Sequence, residues 1–539
     1  MKVFLKIFRG KFLFVGVVML SLVIGFLVTS GGVGGMDDPP RYRFSRWVLY
    51  RFHLIGDRPG LLQHQKWYGS IWDFILGINT EFIFPFLNDP YWVRIALTVA
   101  LFPITLYITY RLLRRAEVPA PTAFLSIALL FSSIRFGGHA LFTKDFPPAC
   151  AFLIATLYLW VSFKDSQKED KNFHFSLRTI LAVTFVCLLP YLIRPPVALH
   201  VAMFFGVLLL FSIFQKKWSL RYRFFLIATP LLFSILLIYI FTPEMWKYEF
   251  FDINGWLHQY QMFSEFHVNL IERFYGRIYT TTNLPWWYAF SWMPFLMHPI
   301  GFVLSCIGIV FFIFDKNKIS SIVIPIFNIN INLSFRRWLI FVLLSSWLAI
   351  LVFHPNLYDG IRHVLFIFPL IPIVAGIGFI DVNHRIQIVM ACSIILISFF
   401  SYFRFGVYSY MYIPSFYPWK VTEHFMGDDR LFCYQKAASF INENIDSNAV
   451  VSVRHEPEFR IQQYRYGSSI LYKDQNRISL RFNERVSPSD SFSLSVISSR
   501  HYREMSVARK QILLGEQTLL WEDKLPSGET ACIVVRRDN

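Results

Sequence analysis

The chain has 539 residues, of which 55% are hydrophobic and 19% aromatic, and its mean hydropathy is +0.44. A soluble protein of this length could not hide so much apolar surface, so the composition excludes an ordinary soluble enzyme. The net charge of +17 does not indicate nucleic-acid binding, because the Lys and Arg residues lie mostly in short loops between apolar segments, where they set membrane topology.

Apolar segments that fit bilayer-spanning helices recur along most of the chain, since such a helix needs roughly 20 residues. With the N-terminus inside, the strongly basic loops all fall on the inner side, as the positive-inside rule requires. The first segment is interpreted as an uncleaved anchor. We predict an all-α polytopic membrane protein with about eleven transmembrane helices, at 12–29, 91–110, 119–135, 147–163, 178–193, 196–214, 223–242, 288–314, 338–353, 363–380 and 386–403.

The segment YGSIWDFILGINTEFIF, residues 68–84, is apolar but contains Asp73 and Glu81, and its uncharged run is too short to cross a bilayer. Aromatic and aliphatic residues recur in it at near-helical spacing, at Tyr68, Trp72, Ile75 and Phe82. This pattern predicts an amphipathic helix that lies in the outer membrane interface.

The character of the chain changes after residue 405, where charges become frequent and no further span fits. QKAASFINENI predicts a helix, whereas AVVSVRH, FSLSVISS and TACIVVRR predict strands. We therefore divide the chain into a transmembrane domain, 1–405, and a small C-terminal α/β domain, 406–539, which the parity of eleven spans places outside. Cys433 and Cys532 both fall in this domain and could form a disulfide in an oxidising compartment.

Polar clusters near the ends of the spans all fall on the predicted outer side, in MDDPPRYRF, IRFGGHALFTKDFPP, LIRPP and HPNLYDGIRH. The first cluster carries the acids Asp37 and Asp38. The others carry six cationic or titratable residues: Arg135, His139, Lys144, Arg194, Arg362 and His363. Arg holds phosphate bidentately, Lys acts as a point charge, and a nearby carboxylate can accept a proton from an attacking hydroxyl. The combination suits a substrate that carries phosphate on a lipid.

Several of these residues also have simpler interpretations. Asp37 and Asp38 could be solvated residues of a loop whose prolines stop any helix. Arg194 could extend to the membrane interface, and Lys144 and Asp145 could form a local ion pair. In the long outer loop 243–287 and just after it, Glu244 is interpreted as a solvating residue, and the tryptophans as a membrane-interface belt, at Trp286, Trp287 and Trp292.

An acidic pair in the first outer loop, an amphipathic helix after it, many spans and an outer C-terminal domain together resemble the GT-C membrane glycosyltransferases. This class includes the protein O-mannosyltransferases and the bacterial aminoarabinose transferases of lipid A. RFGGHALFTKDFPPACAFLIATLYLW, residues 135–160, and YDGIRHVLFIFPLIP, residues 358–372, are similar to bacterial members. The resemblance covers roughly residues 10–405 in architecture.

The resemblance implies a polyprenyl-phosphate sugar donor, inversion at the anomeric carbon, and a glycan, lipid or protein acceptor reached from the outer side of a bacterial inner membrane. In the resemblance the acid of the first outer loop is the catalytic base or the metal-binding group, and by position it makes Asp37 the first candidate and Asp38 the next. The choice between them stays open because many members carry Asp-Glu. The six residues named above would bind the donor phosphate, and Asp145, Tyr358 and Asp359 are further candidates. Some members use a divalent metal ion and others do not, so the resemblance does not decide metal dependence.

Rival functions make different demands on the sequence. A lipid-linked substrate transporter or flippase would need ionisable groups buried near the middle of the bilayer or broken helices in paired halves, and few charges lie inside these spans. A sensor would need a cytoplasmic output module, for which the inner loops are too short. An O-antigen ligase or polymerase would also use outer Arg and His residues, but its usual large late outer loop is not evident.

Overall fold

The protein is mostly helical in a computed structural model that describes residues 38–57, 59, 69–87, 90–169, 175–194, 206, 219–247, 254–255, 258, 271–314, 321–326, 329–353, 357, 362–414, 425, 433, 436–437, 440–441, 444, 450–453, 479–482, 493–498, 502–525 and 528–537. The predicted span 12–29 and nearly all of 196–214 lie outside these residues. Within them, five helices are long and apolar enough to cross a membrane, or seven if each of two bent pairs counts as one span. The chain is an integral membrane protein, and the count of eleven spans stays a prediction.

The helices follow the predicted apolar segments closely through most of the membrane part. In chain order they are α1 (Asp38–Arg51), α2 (Ile71–Ile78), α3 (Pro90–Arg115), α4 (Ala120–Phe131), α5 (Ile134–Gly138), α6 (Phe146–Glu169), α7 (Leu177–Ile193), α8 (Leu220–Ile240), α9 (Tyr288–Ser291), α10 (Pro299–Phe314), α11 (Phe335–Phe353), α12 (Leu370–Gly378) and α13 (His384–Phe405).

Three predicted spans differ from the structure. In 119–135, helix α4 ends at Phe131 and the chain bends by 64° into the short helix α5 and the 3₁₀ turn that follows it. In 288–314, the chain bends by 117° between residues 288–295 and α10. The prediction of a span over 363–380 was wrong in extent, because residues 362–369 form turns and α12 has only nine residues.

Small residues allow the helices around α4 and α12 to pack closely. A Cβ atom on Gly378 would lie 1.8 Å from the carbonyl oxygen of Gly308, and one on Gly376 would lie 2.3 Å from the hydroxyl of Ser126. The backbones of α10 and α12, and of α12 and α4, therefore approach without intervening side chains, as membrane helices often do. Nearly every residue of α4 is buried, so this helix lies at the centre of the core.

Two β-hairpins and one larger sheet complete the described structure. The strands are β1 (Ile271–Phe274), β2 (Arg277–Thr280), β3 (Ser321–Ile326), β4 (Ile329–Ser334), β5 (Val450–Val453), β6 (Ser479–Phe482), β7 (Ser493–Ser498), β8 (Gln517–Lys524) and β9 (Thr530–Arg537), with helix α14 (Tyr502–Leu513) between β7 and β8. The turn from β1 to β2 uses Tyr275 and Gly276 at φ of 49° and 76°, the positive values that a two-residue type I′ hairpin requires. The hairpin of β3 and β4 lies in a predicted inner loop and was not expected from the sequence.

The five-stranded sheet has the order β6-β5-β7-β9-β8, with β6, β5 and β7 parallel and β9 antiparallel to both its neighbours. The three predicted C-terminal strands correspond to β5, β7 and β9. Cys433 and Cys532 form a disulfide with their Cα atoms 5.6 Å apart, so the predicted pairing is confirmed. That residues 406–539 form a separate domain stays a prediction.

Candidate functional site

Helix α1 begins at Asp38 and is held against α2 by a buried ionic network. Arg41 pairs with the carboxylate of Asp73, and Arg94 of α3 lies 3.6 Å from the same carboxylate, measured from Nη2 to Oδ1. Ser45 donates from Oγ to Asp73 Oδ1 at 3.2 Å and accepts a hydrogen bond from Arg94 Nη1 at 2.7 Å. We call Arg41, Asp73 and Arg94 the anchor triad, because it joins three helices at one carboxylate.

The anchor triad is almost completely removed from solvent, and Asp73 and Arg94 are each 0% exposed. Burial raises the pKa of Asp73, whereas the charges of Arg41 and Arg94 act in the opposite direction. The two guanidinium groups supply the opposite charge that a buried carboxylate requires. The sequence indicated an amphipathic helix here and the helix is confirmed, but the role of Asp73 was missed.

The other face of α2 packs on the end of α7. Ile71 and Trp72 belong to the same buried apolar cluster as Leu192 and Ile193, the residues just before Arg194. At Gly69 a Cβ atom would lie only 2.1 Å from the Leu192 carbonyl oxygen, so the chain entering α2 touches the α7 backbone directly. Helix α2, which holds α1, therefore also lies next to Arg194, a member of the cluster of charged residues described below.

Five sequence-predicted residues from three separate segments come together near this end of α7: Lys144, Asp145, Arg194, Arg362 and His363. Arg194 pairs with Asp145 through Nη1, and its Nη2 lies 3.0 Å from His363 Nδ1. Arg362 Nε lies 3.1 Å from His363 Nε2, and the charge of Lys144 acts on the same imidazole. We call these five residues the basic cluster.

The electrostatics of the basic cluster favour an anion. Its own five side chains comprise three cations and one carboxylate, which sum to +2 while His363 is neutral. His363 lies in the turns before α12, where burial lowers its pKa well below the usual value, and Arg194 and Arg362 lower it further, while Asp145 acts in the opposite sense. A neutral imidazole carries one N–H, so only one of its two guanidinium contacts can be a hydrogen bond that the ring accepts.

Arg135 and His139 lie on α5 and the turn after it. The Arg135 guanidinium stands 4.3 Å from the ring centre of Trp292, and His139 Nδ1 lies 2.7 Å from the Arg135 carbonyl oxygen. Trp292 is 2% exposed, so the interpretation of this residue as part of an interface belt was wrong, whereas Trp286 is well exposed. Arg135 is thus held by an aromatic core that includes β1, through Phe274.

Three of the predicted site residues, Asp37, Tyr358 and Asp359, lie outside the described residues. Asp38 is described only as the first residue of α1, one helical turn before Arg41. Glu244 is buried and pairs with Lys247, so its interpretation as a solvating residue was wrong.

No group of three His, Cys, Asp or Glu side chains that could hold a metal ion occurs among the residues that the structure describes. The donor set needed for a divalent cation is therefore not met within this part of the chain, and no chemical step is assigned to a metal.

No protein-family profile matches the sequence, and no curated protein matches it. The structure is similar to ArnT from Cupriavidus metallidurans, solved with bound undecaprenyl phosphate, with 11% identity, a TM-score of 0.50 and 97% of each chain covered. The chain has the fold of this ArnT structure. At this identity the likeness shows the fold alone, and the resemblance predicted from the sequence is confirmed at that level.

Two structures of an archaeal oligosaccharyltransferase from Archaeoglobus fulgidus are also similar. AglB, in complex with an inhibitory peptide and a dolichol-phosphate, has 10% identity and a TM-score of 0.47 over 89% of this chain and 62% of its own. The enzyme tethered to an acceptor peptide has 10% identity and a TM-score of 0.44 over 87% of this chain and 64% of its own. The chain spans less than two thirds of the length of either structure.

Proposed function

We propose that the chain is an integral membrane glycosyltransferase that moves a sugar from a polyprenyl-phosphate donor to an acceptor on the outer side of the membrane. In this proposal the membrane is a bacterial inner membrane, the N-terminus is cytoplasmic, and residues 406–539 form a periplasmic domain. The acceptor is a glycan, a lipid or a protein.

The observation that carries the proposal is the basic cluster. It brings the charged side chains of Arg194, Arg362 and Lys144 together with Asp145 around one imidazole, and cations grouped in this way favour an anionic ligand. A phosphate is such a ligand, and an arginine side chain can donate two parallel hydrogen bonds to it. The donor's phosphate is the part of a polyprenyl-phosphate sugar that this cluster can recognise.

The reaction then needs a base and a leaving-group site. Asp37 or Asp38 accepts the proton of the acceptor hydroxyl while the hydroxyl oxygen attacks the anomeric carbon. The bond from that carbon to the phosphate oxygen breaks, and its electron pair goes to the phosphate. The polyprenyl phosphate leaves as an anion stabilised by Arg194 and Arg362, and attack from the opposite face inverts the anomeric configuration.

The fold adds support of a different kind. ArnT has the same fold and was solved with undecaprenyl phosphate, a lipid of the class proposed here. Transport is less well supported, because it needs ionisable groups near the middle of the bilayer. Among the described residues, the basic cluster instead occupies the end of α7 and the turns next to α6 and α12.

The deciding experiment measures sugar transfer from undecaprenyl-phosphate sugars by the protein in membranes, with protein level checked for every variant. Asp37→Asn or Asp38→Asn should lower the rate by roughly 10²–10⁴-fold, the usual effect of losing a general base. Asp57→Asn is the matched control, since Asp57 is an exposed acid beyond the end of α1. Near-normal transfer by both variants of the acidic pair would exclude it as the base.

Binding of undecaprenyl phosphate alone tests the basic cluster separately. Arg362→Ala removes a charge-assisted contact of about 1.5–3 kcal/mol, which corresponds to roughly 10- to 150-fold weaker binding. Arg509→Ala is the control, because Arg509 lies on α14 and is exposed. Equal affinity of the two variants would contradict the phosphate site. Lipids of a deletion strain would then name the donor, because the unused polyprenyl-phosphate sugar should accumulate.

A further inference from the structure

The anchor triad is more elaborate than the attachment of one surface helix requires. It places two guanidinium groups and a carboxylate at a site with side-chain exposures of 6% or less. A buried ion pair is weak evidence for stability, because apolar residues of similar volume often stabilise as well or better. What such a network supplies is a fixed direction, since a guanidinium group donates hydrogen bonds to a carboxylate in few geometries.

The direction that the triad fixes is that of the first turn of α1. Arg41 lies three residues after Asp38, so the two residues share a face one turn apart. The opposite end of α1 is held separately, because Arg51 donates from Nη2 to the Pro243 carbonyl oxygen at 2.9 Å. Asp73 thus holds the end of α1 that begins at Asp38.

Helix α2 also links Asp73 to the basic cluster. Its neighbours Ile71 and Trp72 share a buried apolar cluster with Leu192 and Ile193, which Arg194 follows directly, and the chain entering α2 touches the Leu192 backbone at Gly69. One short helix, α2, therefore contacts α1 through Asp73 and the end of α7 through its apolar residues. We propose that Asp73, acting through Arg41 and Arg94, is a positioning residue that holds Asp38 at a fixed place relative to the basic cluster. The inference rests on the proposed function, in which these two groups act on one donor.

Two variants and one control test the inference. Asp73→Asn removes the negative charge that both guanidinium groups share. Arg41→Lys keeps the charge balance but loses the planar guanidinium geometry, and it serves as the second test if Asp73→Asn fails to fold. Asp57→Asn breaks the exposed ion pair that Asp57 makes with Arg46 of α1, and this variant should match the wild type. The protein is studied as the full chain in lipid nanodiscs.

Hydrogen exchange measures how firmly α1 is held without requiring the enzymatic reaction. Loss of the anchor should speed exchange in peptides of residues 38–51 by at least about tenfold and leave peptides of α4 and α6 unchanged. Unchanged exchange in 38–51 for both variants would overturn the inference. This arm stands even if the proposed function fails, because it needs no donor.

Kinetics on the folded fraction decide whether the anchoring serves the reaction. Misplacing a reacting group by about 1 Å costs on the order of 100-fold, so kcat should fall by about 10- to 100-fold while the KM for the donor stays within about threefold. A merely structural Asp73 would lower the folded fraction and leave kcat per folded molecule unchanged, and that result would overturn the inference. Absence of transfer by the wild type would instead refute the proposed function.

Discussion

The pair of Asp145 and Arg194 offers the clearest energetic test of the basic cluster. Their side chains are 0% and 8% exposed, so either charge left alone would be buried without its direct partner. We expect Asp145→Ala and Arg194→Ala each to lower the free energy of unfolding by about 3–5 kcal/mol. The double variant removes both charges and should be destabilised by only about 1–2 kcal/mol relative to the wild type. It should therefore be more stable than either single variant.

The two single variants should also differ from one another. Removing Asp145 leaves three cations and no carboxylate, which raises the net charge of the cluster from +2 to +3. Removing Arg194 lowers it to +1 and leaves Asp145 in the field of Lys144. Like charges repel strongly at low dielectric, so Asp145→Ala should be the less stable of the two.

The measurement is SDS-induced unfolding in mixed micelles, followed by tryptophan fluorescence, for the wild type, both single variants and the double variant. The double-mutant cycle gives the coupling between the two side chains, which should be clearly favourable. Additive effects, with the double variant as unstable as the sum of the single ones, would refute the reasoning, because they would mean that neither charge depends on the other.

Three further predictions concern other parts of the molecule. In the folded protein His363 is neutral and its pKa is lowered from 6.5, so below about pH 6.5 only the unfolded chain binds the extra proton. The free energy of unfolding should therefore fall as the pH falls, by up to about 1.4 kcal/mol per pH unit relative to His363→Gln, and thermal unfolding between pH 7.5 and 5.5 measures this. Gly69→Ala should destabilise by about 1–3 kcal/mol because its Cβ meets a carbonyl of α7 at 2.1 Å, whereas Gly56→Ala, with no atom within 4 Å, should stay within about 0.5 kcal/mol in the same assay. Thiol labelling of the denatured, non-reduced protein should leave Cys433 and Cys532 unlabelled, and the double serine variant should be less stable by up to roughly 4–5 kcal/mol, the chain-entropy limit for this loop.

Apolar periodicity and loop charge were sufficient to predict most of the membrane helices. The predicted segments 147–163 and 386–403 lie within α6 and α13, because a long uninterrupted apolar run has few alternatives to a spanning helix. The breaks were not predicted. Ser132 and Ser133 end α4 early, and hydropathy averaged over a window cannot detect a local change of direction at two small polar residues.

The candidate site was predicted unevenly for a related reason. Arg194 and Arg362 could be placed on one side of the membrane by topology alone, and the structure brings them to the same imidazole. Asp73 was treated as a charge that disqualifies a span, since its partners are distant in sequence and a single chain gives no sign of their pairing. The sequence predicted which side of the membrane a residue faces, and only packing showed what it contacts.

The disulfide between Cys433 and Cys532 also imposes an order on biosynthesis. Its two cysteines are 99 residues apart, so at roughly 5–20 residues per second the first thiol waits on the order of 5–20 s for the second to be synthesised. Strand β9, which carries Cys532, lies between β7 and β8 and is the last described strand to be made. Strand β8 therefore has no sheet neighbour until β9 arrives, and sheet closure and oxidation should occur together as one late step that comes after the membrane helices have inserted.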